Sequence, residues 1–180
     1  MQTEPIVIAL GCNIGPRREA LNRACRLLAR HGILVVRRSR LYWTRPWGYV
    51  SQPDFVNGAI LVRTVLTPRA LLARCQAVEM ELGRTRGGPG NGPRWGPRRI
   101  DLDLILYGAV RGNESDLILP HPRLAERDFV LAPLLDLGVF PRYHEHRAGW
   151  RALLEALPLQ ARTIKHMERW ISNHDFSRTG

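Results

Sequence analysis

The sequence predicts one α+β domain, an antiparallel sheet flanked by helices, and three observations carry that expectation. Short apolar runs alternate with two longer segments whose apolar residues recur at helical spacing. Their order is strand, helix, strand, strand, helix, strand. At 180 residues and 44% hydrophobic, the chain is long enough for one good core and too short for two ordinary domains.

Residues 6–10, IVIAL, read as a short buried strand that runs into Gly11, Asn13 and Gly15. Pro16 then suits the first position of a helix, whose apolar stripe is Leu21, Ala24, Cys25 and Leu28 and whose stop is Gly32. Residues 33–43 read as a strand with arginines alternating outward, followed by the turn-rich TRPWG, and Phe55 to Thr64 as a further strand. Thr67 and Pro68 cap a second helix with the stripe Leu71, Cys75, Val78 and Leu82, ended by Gly83. Gln76 and Glu79 share a face beside that stripe, pointing to where an arginine-rich loop begins. A strand over 100–107, an apolar piece at 117–119, one or two short helices in PHPRLAERDFVLAPLLDLG and a final helix bearing Trp150, Leu153, Leu154 and Leu157 complete the chain. The last twenty or so residues are polar and expected to fray. This order is that of a ferredoxin-like sandwich, with the two main helices on one face of the sheet.

The strand at 100–107 carries the strongest chemical signal. Period two puts Ile100, Leu102, Leu104 and Leu106 on one face and Asp101 and Asp103, then Ile105 and Tyr107, on the other. Two carboxylates roughly 7 Å apart on one strand face are placed to hold one or two divalent ions, and magnesium suits a few carboxylates plus phosphate oxygens. A plain half-exposed strand would show the same alternation. The neighbouring Arg84, Arg86, Arg94, Arg98 and Arg99 favour the site, because a metal opposite arginine forks is a way to hold phosphate.

Charge and composition remove other classes. The formal charge is +11, built from 26 Arg and a single Lys, Lys165, so a lysine-dependent phosphate loop is excluded. The run GGPGNGP at 87–93 lacks the ending of such a loop and reads as mobile. Cys12, Cys25 and Cys75 are odd in number and widely spaced, which fits small buried hydrophobes in a reducing compartment and neither a disulfide framework nor a zinc site. The N-terminal apolar run is only five residues long, so neither a signal peptide nor a membrane span is expected there and a cytoplasmic protein is. RNA-recognition domains share the predicted architecture, but their aromatic strand signature is absent and the arginines form no single tract. Nucleic-acid binding stays as a runner-up.

Five motifs in order, IALGCNIG at 8–15, YWTRPWG at 42–48, SQPDFVNGAI at 51–60, RWGPRRIDLDLILYG at 94–108 and PHPRLAERDFVLAPL at 120–134, resemble those of the 6-hydroxymethyl-7,8-dihydropterin pyrophosphokinase family of folate biosynthesis. The match runs from about residue 6 to residue 157, which sets a single domain at 1–158 and leaves 159–180 as a C-terminal extension without an assigned role. The resemblance implies transfer of the terminal pyrophosphoryl group of ATP to the pterin hydroxymethyl oxygen, releasing AMP, with two magnesium ions. The expected partners are these small-molecule substrates, with no membrane, and the chain is expected to be a monomer. Asp101 and Asp103 match the family's magnesium pair, and Arg84 and Arg98 its phosphate arginines, these four forming the catalytic set. Gln76, Glu79, Arg86, Trp95, His121 and Arg127, with Arg98, match positions tied to the nucleotide or the closing loop. Phe55 and Phe129 match the two aromatics that stack on the pterin, Thr44 and Asn57 its edge contacts, and Gly11 and Trp47 positions where backbone approaches the ring. An Asn57 amide inside a strand would cost about 1–3 kcal/mol if unpaired, and a ligand would satisfy it. Three departures from the pattern bear on substrate affinity and loop closure: Cys12 where Ser is common, Arg45 where Pro is frequent, and the insert at 87–92. A related phosphotransferase acting on another substrate would keep the aspartates and not need Phe55 or Asn57.

Overall fold

The computed structural model describes residues 5–48, 51–84, 96–114, 116–139 and 149–171. Over these the chain runs β1 (Ile6–Cys12), α1 (Arg17–Arg30), β2 (Leu34–Arg38), β3 (Leu41–Thr44), β4 (Phe55–Arg63), α2 (Pro68–Glu81), β5 (Asp101–Tyr107), β6 (Gly112–Glu114), β7 (Leu117–Leu119), α3 (Asp128–Asp136), α4 (Gly149–Ala156) and β8 (Ile164–Glu168). β1 sits inside the sheet because its small and aliphatic side chains tolerate cover on both faces. It pairs antiparallel with β4 on one side and β5 on the other, and the strand order is β5-β1-β4-β3-β8, with β2 also on β4. This is the expected ferredoxin-like α+β arrangement.

Each face of the sheet has its own core. α1 and α2 lay the predicted stripes Leu21, Ala24, Cys25, Leu28 and Leu71, Cys75, Val78 over Ile8, Leu10, Val56, Ile60, Leu102 and Leu104. α2 is capped as expected, the Thr67 hydroxyl accepting the Ala70 amide at 3.3 Å. On the opposite face Val130, Leu131 and Leu134 of α3 and Trp150 of α4 cover Val7, Ala59, Ile105 and Leu106. α3 reaches only part of that face, and the end carrying Gly11, Asn57, Asp101 and Asp103 stays open as a cleft.

Three expectations are corrected. The single strand over 33–43 is two strands, broken where the buried Ser39 hydroxyl accepts the Ala59 amide at 2.9 Å and replaces part of the ladder. In β5 the alternation does not run through: pairing shifts from Ile8 opposite Leu104 to Val7 opposite Leu106. That bulge sends Leu106 to the α3 face with Ile105 and turns Tyr107 toward the other core. Finally, the polar segment expected to fray supplies β8, which pairs with β3 from Leu41 opposite Glu168 to Thr44 opposite Ile164.

Candidate active site

The cleft floor follows from strand register. Gly11 of β1 lies between Asn57 of β4 and Asp101 of β5, and Ala9 between Ala59 and Asp103. Small residues on the middle strand let the flanking polar side chains converge. The approach is tight at Gly11, where a Cβ would stand 2.5 Å from Asn57 Oδ1. Asn57 is 8% exposed, and its amide nitrogen donates to the Thr44 hydroxyl at 2.8 Å. The expectation of an unpaired amide is thereby corrected: Thr44 satisfies the Asn57 nitrogen and leaves the pair jointly oriented toward the cleft.

The walls come from a strand start, a turn and a helix start. Phe55 enters from β4, Trp47 from the turn after β3, and Arg127 and Phe129 from the beginning of α3. The Arg127 guanidinium lies over Trp47 at 5.1 Å and over Phe129 at 5.6 Å. Its Nε finds no hydrogen-bond partner among the described residues. The cavity between these walls measures about 230 Å³ and is also lined by Arg45, Arg98, Asp101, Asp103 and His121.

The charged end is organised around Asp101. One carboxylate oxygen accepts from Arg84 and the other from Arg98 at 2.6 Å. Arg84 also donates to Glu79, whose side chain has no exposed surface and whose Oε1 accepts the Leu102 amide at 2.7 Å. Glu79 thus holds both Arg84 and the start of β5. Burial works against the charge of Arg84, but Asp101 and Glu79 outweigh it and strengthen its hold on the proton. Asp103 is served differently: among the described residues its nearest ion-pair partner is Arg127 at 3.9 Å, and 40% of its side chain is exposed to the cleft. The carboxyl sits deep in the cleft, walled by protein atoms though open to its mouth, and this desolvation, then the charge of Asp101, raises its pKa well above the ordinary value of 3.8.

His121 faces the same cleft. Its Nδ1 accepts the Arg123 amide at 3.1 Å, which puts the proton of the neutral ring on Nε2. Burial, then the charge of Arg127, lowers its pKa to about 4, so it stands as a neutral donor.

Of the predicted residues, Gly11, Thr44, Trp47, Phe55, Asn57, Arg98, Asp101, Asp103, His121, Arg127 and Phe129 line one cavity, and Arg84 joins it through Asp101. Glu79 stands behind Arg84. Gln76 is half-buried on α2 and does not line the cavity, while Arg86 and Trp95, like the insert at 87–92, lie outside the described residues. Two contributors went unselected. Asn13, 2% exposed, accepts the Arg98 amide at 2.7 Å and donates to Gln52 and Pro53, tying the Arg98 segment to the loop before β4. A polar residue in the turn directly after a buried strand was its only signal. Arg123 lies 5.3 Å over Trp47.

Comparison with known proteins agrees with this geometry. Residues 7–139 match the family model described as 7,8-dihydro-6-hydroxymethylpterin-pyrophosphokinase (HPPK). The chain is 46% identical over 131 residues to the 2-amino-4-hydroxy-6-hydroxymethyldihydropteridine pyrophosphokinase of Bacillus subtilis, covering 72% of this chain and 75% of that protein. It is 47% identical over 148 residues to the mitochondrial folate synthesis bifunctional protein of Arabidopsis thaliana, covering 82% of this chain and 26% of that one. The chain spans less than a third of the length of the plant bifunctional relatives it matches. A crystal structure of an HPPK-DHPS in complex with substrates superposes with a TM-score of 0.62 at 13% identity, over 85% of this chain and 43% of that one, and shares the fold. With the family model spanning β1 to the end of α3 and identity near one half over most of its length, the chain belongs to the 7,8-dihydro-6-hydroxymethylpterin pyrophosphokinase family.

Proposed function

We propose that this protein transfers the terminal pyrophosphoryl group of ATP to the hydroxymethyl oxygen of 6-hydroxymethyl-7,8-dihydropterin and releases AMP, a step of folate biosynthesis. The observation that carries the reading is the cleft itself: an aromatic, amide-edged slot opening directly onto two carboxylates and two arginines. A flat polar bicycle stacks on Phe55 and Phe129 and meets the Asn57–Thr44 pair at its edge. Its hydroxymethyl group then points to the Asp101–Asp103 end.

The residues present fit magnesium. Among the described residues no cluster of three or more metal-ligating side chains exists, so the protein offers the carboxylates of Asp101 and Asp103 and not a closed cage. Magnesium uses one or two carboxylates and takes the rest of its oxygens from substrate phosphate and water. Asp101 and Asp103 would hold two such ions, which when bound neutralise phosphate charge and align the phosphates. Arg84 and Arg98, which share the Asp101 carboxylate in the free protein, exchange it for phosphate oxygens. They stabilise the charge that shifts as the hydroxymethyl oxygen bonds to the β-phosphorus and the bond to the departing AMP breaks. Glu79 keeps Arg84 aimed, and neutral His121 and Arg127 offer donors to the nucleotide.

The reading extends to a monomer acting on small molecules in the cytoplasm; among the described residues no helix is long and apolar enough to cross a membrane. Replacing Asp103 tests the site. Asp103→Ala should lower turnover by at least about 10³-fold while circular dichroism stays that of the wild type, and Asp101→Ala should do the same. Full activity in either variant would sink the reading.

A further inference from the structure

A buried carboxylate outside the catalytic set connects the two walls of the cleft. Asp128, the first residue of α3, is 2% exposed and accepts four hydrogen bonds. The donors are the Thr163 amide, the Thr163 hydroxyl at 2.6 Å, the Ile164 amide at 2.9 Å and the Phe129 amide at 2.8 Å. The start of α3 is thereby bound to the segment entering β8. That same segment is bound to the opposite wall: the Arg45 amide donates to the Thr163 carbonyl at 2.9 Å, and the Arg45 guanidinium to the Arg162 carbonyl at 2.8 Å. Arg45 directly follows Thr44 and stands two residues before Trp47, whereas Asp128 lies between Arg127 and Phe129. All of these except Asp128 line the cavity. Residues 162–164 are therefore a strap whose two attachments lie one residue away from cavity-lining side chains on either wall.

We infer that Asp128 is a positioning residue for pterin binding, acting through Thr163 to fix the spacing between the Phe129 wall and the Thr44–Trp47 wall. The inference rests on the pterin reading given above. Its physical basis is that a carboxylate with four donors has no slack, so Phe129 is held where a ring can stack on it, and displacements near 1 Å at such a site have large effects. Asparagine at 128 would turn an NH2 group toward amide donors and break part of the strap. Thr163→Val removes only the hydroxyl contact and keeps both amides, which makes it the milder change.

The test is steady-state kinetics of the wild type, Asp128→Asn and Thr163→Val, varying the pterin at saturating MgATP and MgATP at saturating pterin, with melting curves alongside. The expected result is a rise in pterin KM of about tenfold for Asp128→Asn and about threefold for Thr163→Val, with the ATP KM within about twofold of wild type. A merely structural role lowers the folded fraction and so the apparent kcat, and leaves both KM values in place. Unchanged pterin KM in Thr163→Val, or equal rises for both substrates, overturns the inference alone. A wild-type protein that neither binds nor turns over the pterin overturns the underlying reading and this inference with it.

Discussion

Asp101 gives both carboxylate oxygens to arginines, whereas for Asp103, two residues along, the one ion pair among the described residues is with Arg127 at 3.9 Å. Their roles in the free protein differ accordingly: Asp101 organises Arg84 and Arg98, while burial and the charge of Asp101 disfavour the charged form of Asp103. The raised pKa of Asp103 makes a pH prediction. A carboxyl whose folded pKa exceeds its unfolded one lends stability that is complete below the unfolded value, near 3.8, and is lost as pH climbs through the folded value. Asp103→Asn should therefore gain in melting temperature over wild type as the metal-free proteins are taken from about pH 4 to about pH 8, and a constant difference would contradict this. Gly11 tests the cleft floor. Its Cβ would meet Asn57 Oδ1 at 2.5 Å, so Gly11→Ala should push the amide aside and raise the pterin KM by about tenfold, with less effect on ATP; an unchanged pterin KM would count against the assigned edge contact. The aspartate pair was legible in the sequence because period two is a local property of one strand. Asp128 was not, because its partners at Thr163 and Ile164 stand 35 and 36 residues away and nothing local marks a buried acid at a helix start.

The C-terminal strand is the element that sequence reasoning placed least well. β8 is polar in pattern, with only Ile164 and Glu168 half-buried, and so carries no strand signal of its own. Its place is set by what surrounds it. Asp128 fixes its start, β3 offers a free edge, and beyond its end Trp170 packs over Gly58, where a Cβ would stand 2.9 Å from the indole. The indole nitrogen donates to Asn22 at 2.9 Å, and Arg38 lies 5.7 Å over the ring. Trp170 is 8% exposed and belongs to the core under α1, so Trp170→Ala should cost about 3–5 kcal/mol and open β8 amides to hydrogen exchange before the rest of the sheet. Exchange across β8 no faster than in β1 would show that the strand is held without it. By contrast α1 and α2 were legible nearly to their ends, since a stripe of apolar residues and a stop glycine lie within each segment. The break at Ser39 and the β5 bulge were not, because each depends on how two strands meet.

The molecule divides its work between the faces of one sheet. α1 and α2 close one side with aliphatic packing and contribute only Glu79 and the following Arg84 to the site, while the other side is closed by α3 and α4 at one end and left open at the other. The motifs that mark the site in sequence lie on separate segments, and the antiparallel register of β4, β1 and β5 brings Asn57, Gly11 and Asp101 into one row. A net charge of +11 favours the approach of anions, among them the ATP of the proposed reaction. Whether that arrangement moves a pyrophosphoryl group is decided by the nucleotide it leaves behind. Mixing the protein with ATP, magnesium and 6-hydroxymethyl-7,8-dihydropterin should release AMP in step with a pyrophosphorylated pterin; ADP in its place, or no nucleotide product while the protein is folded, would contradict the proposed function.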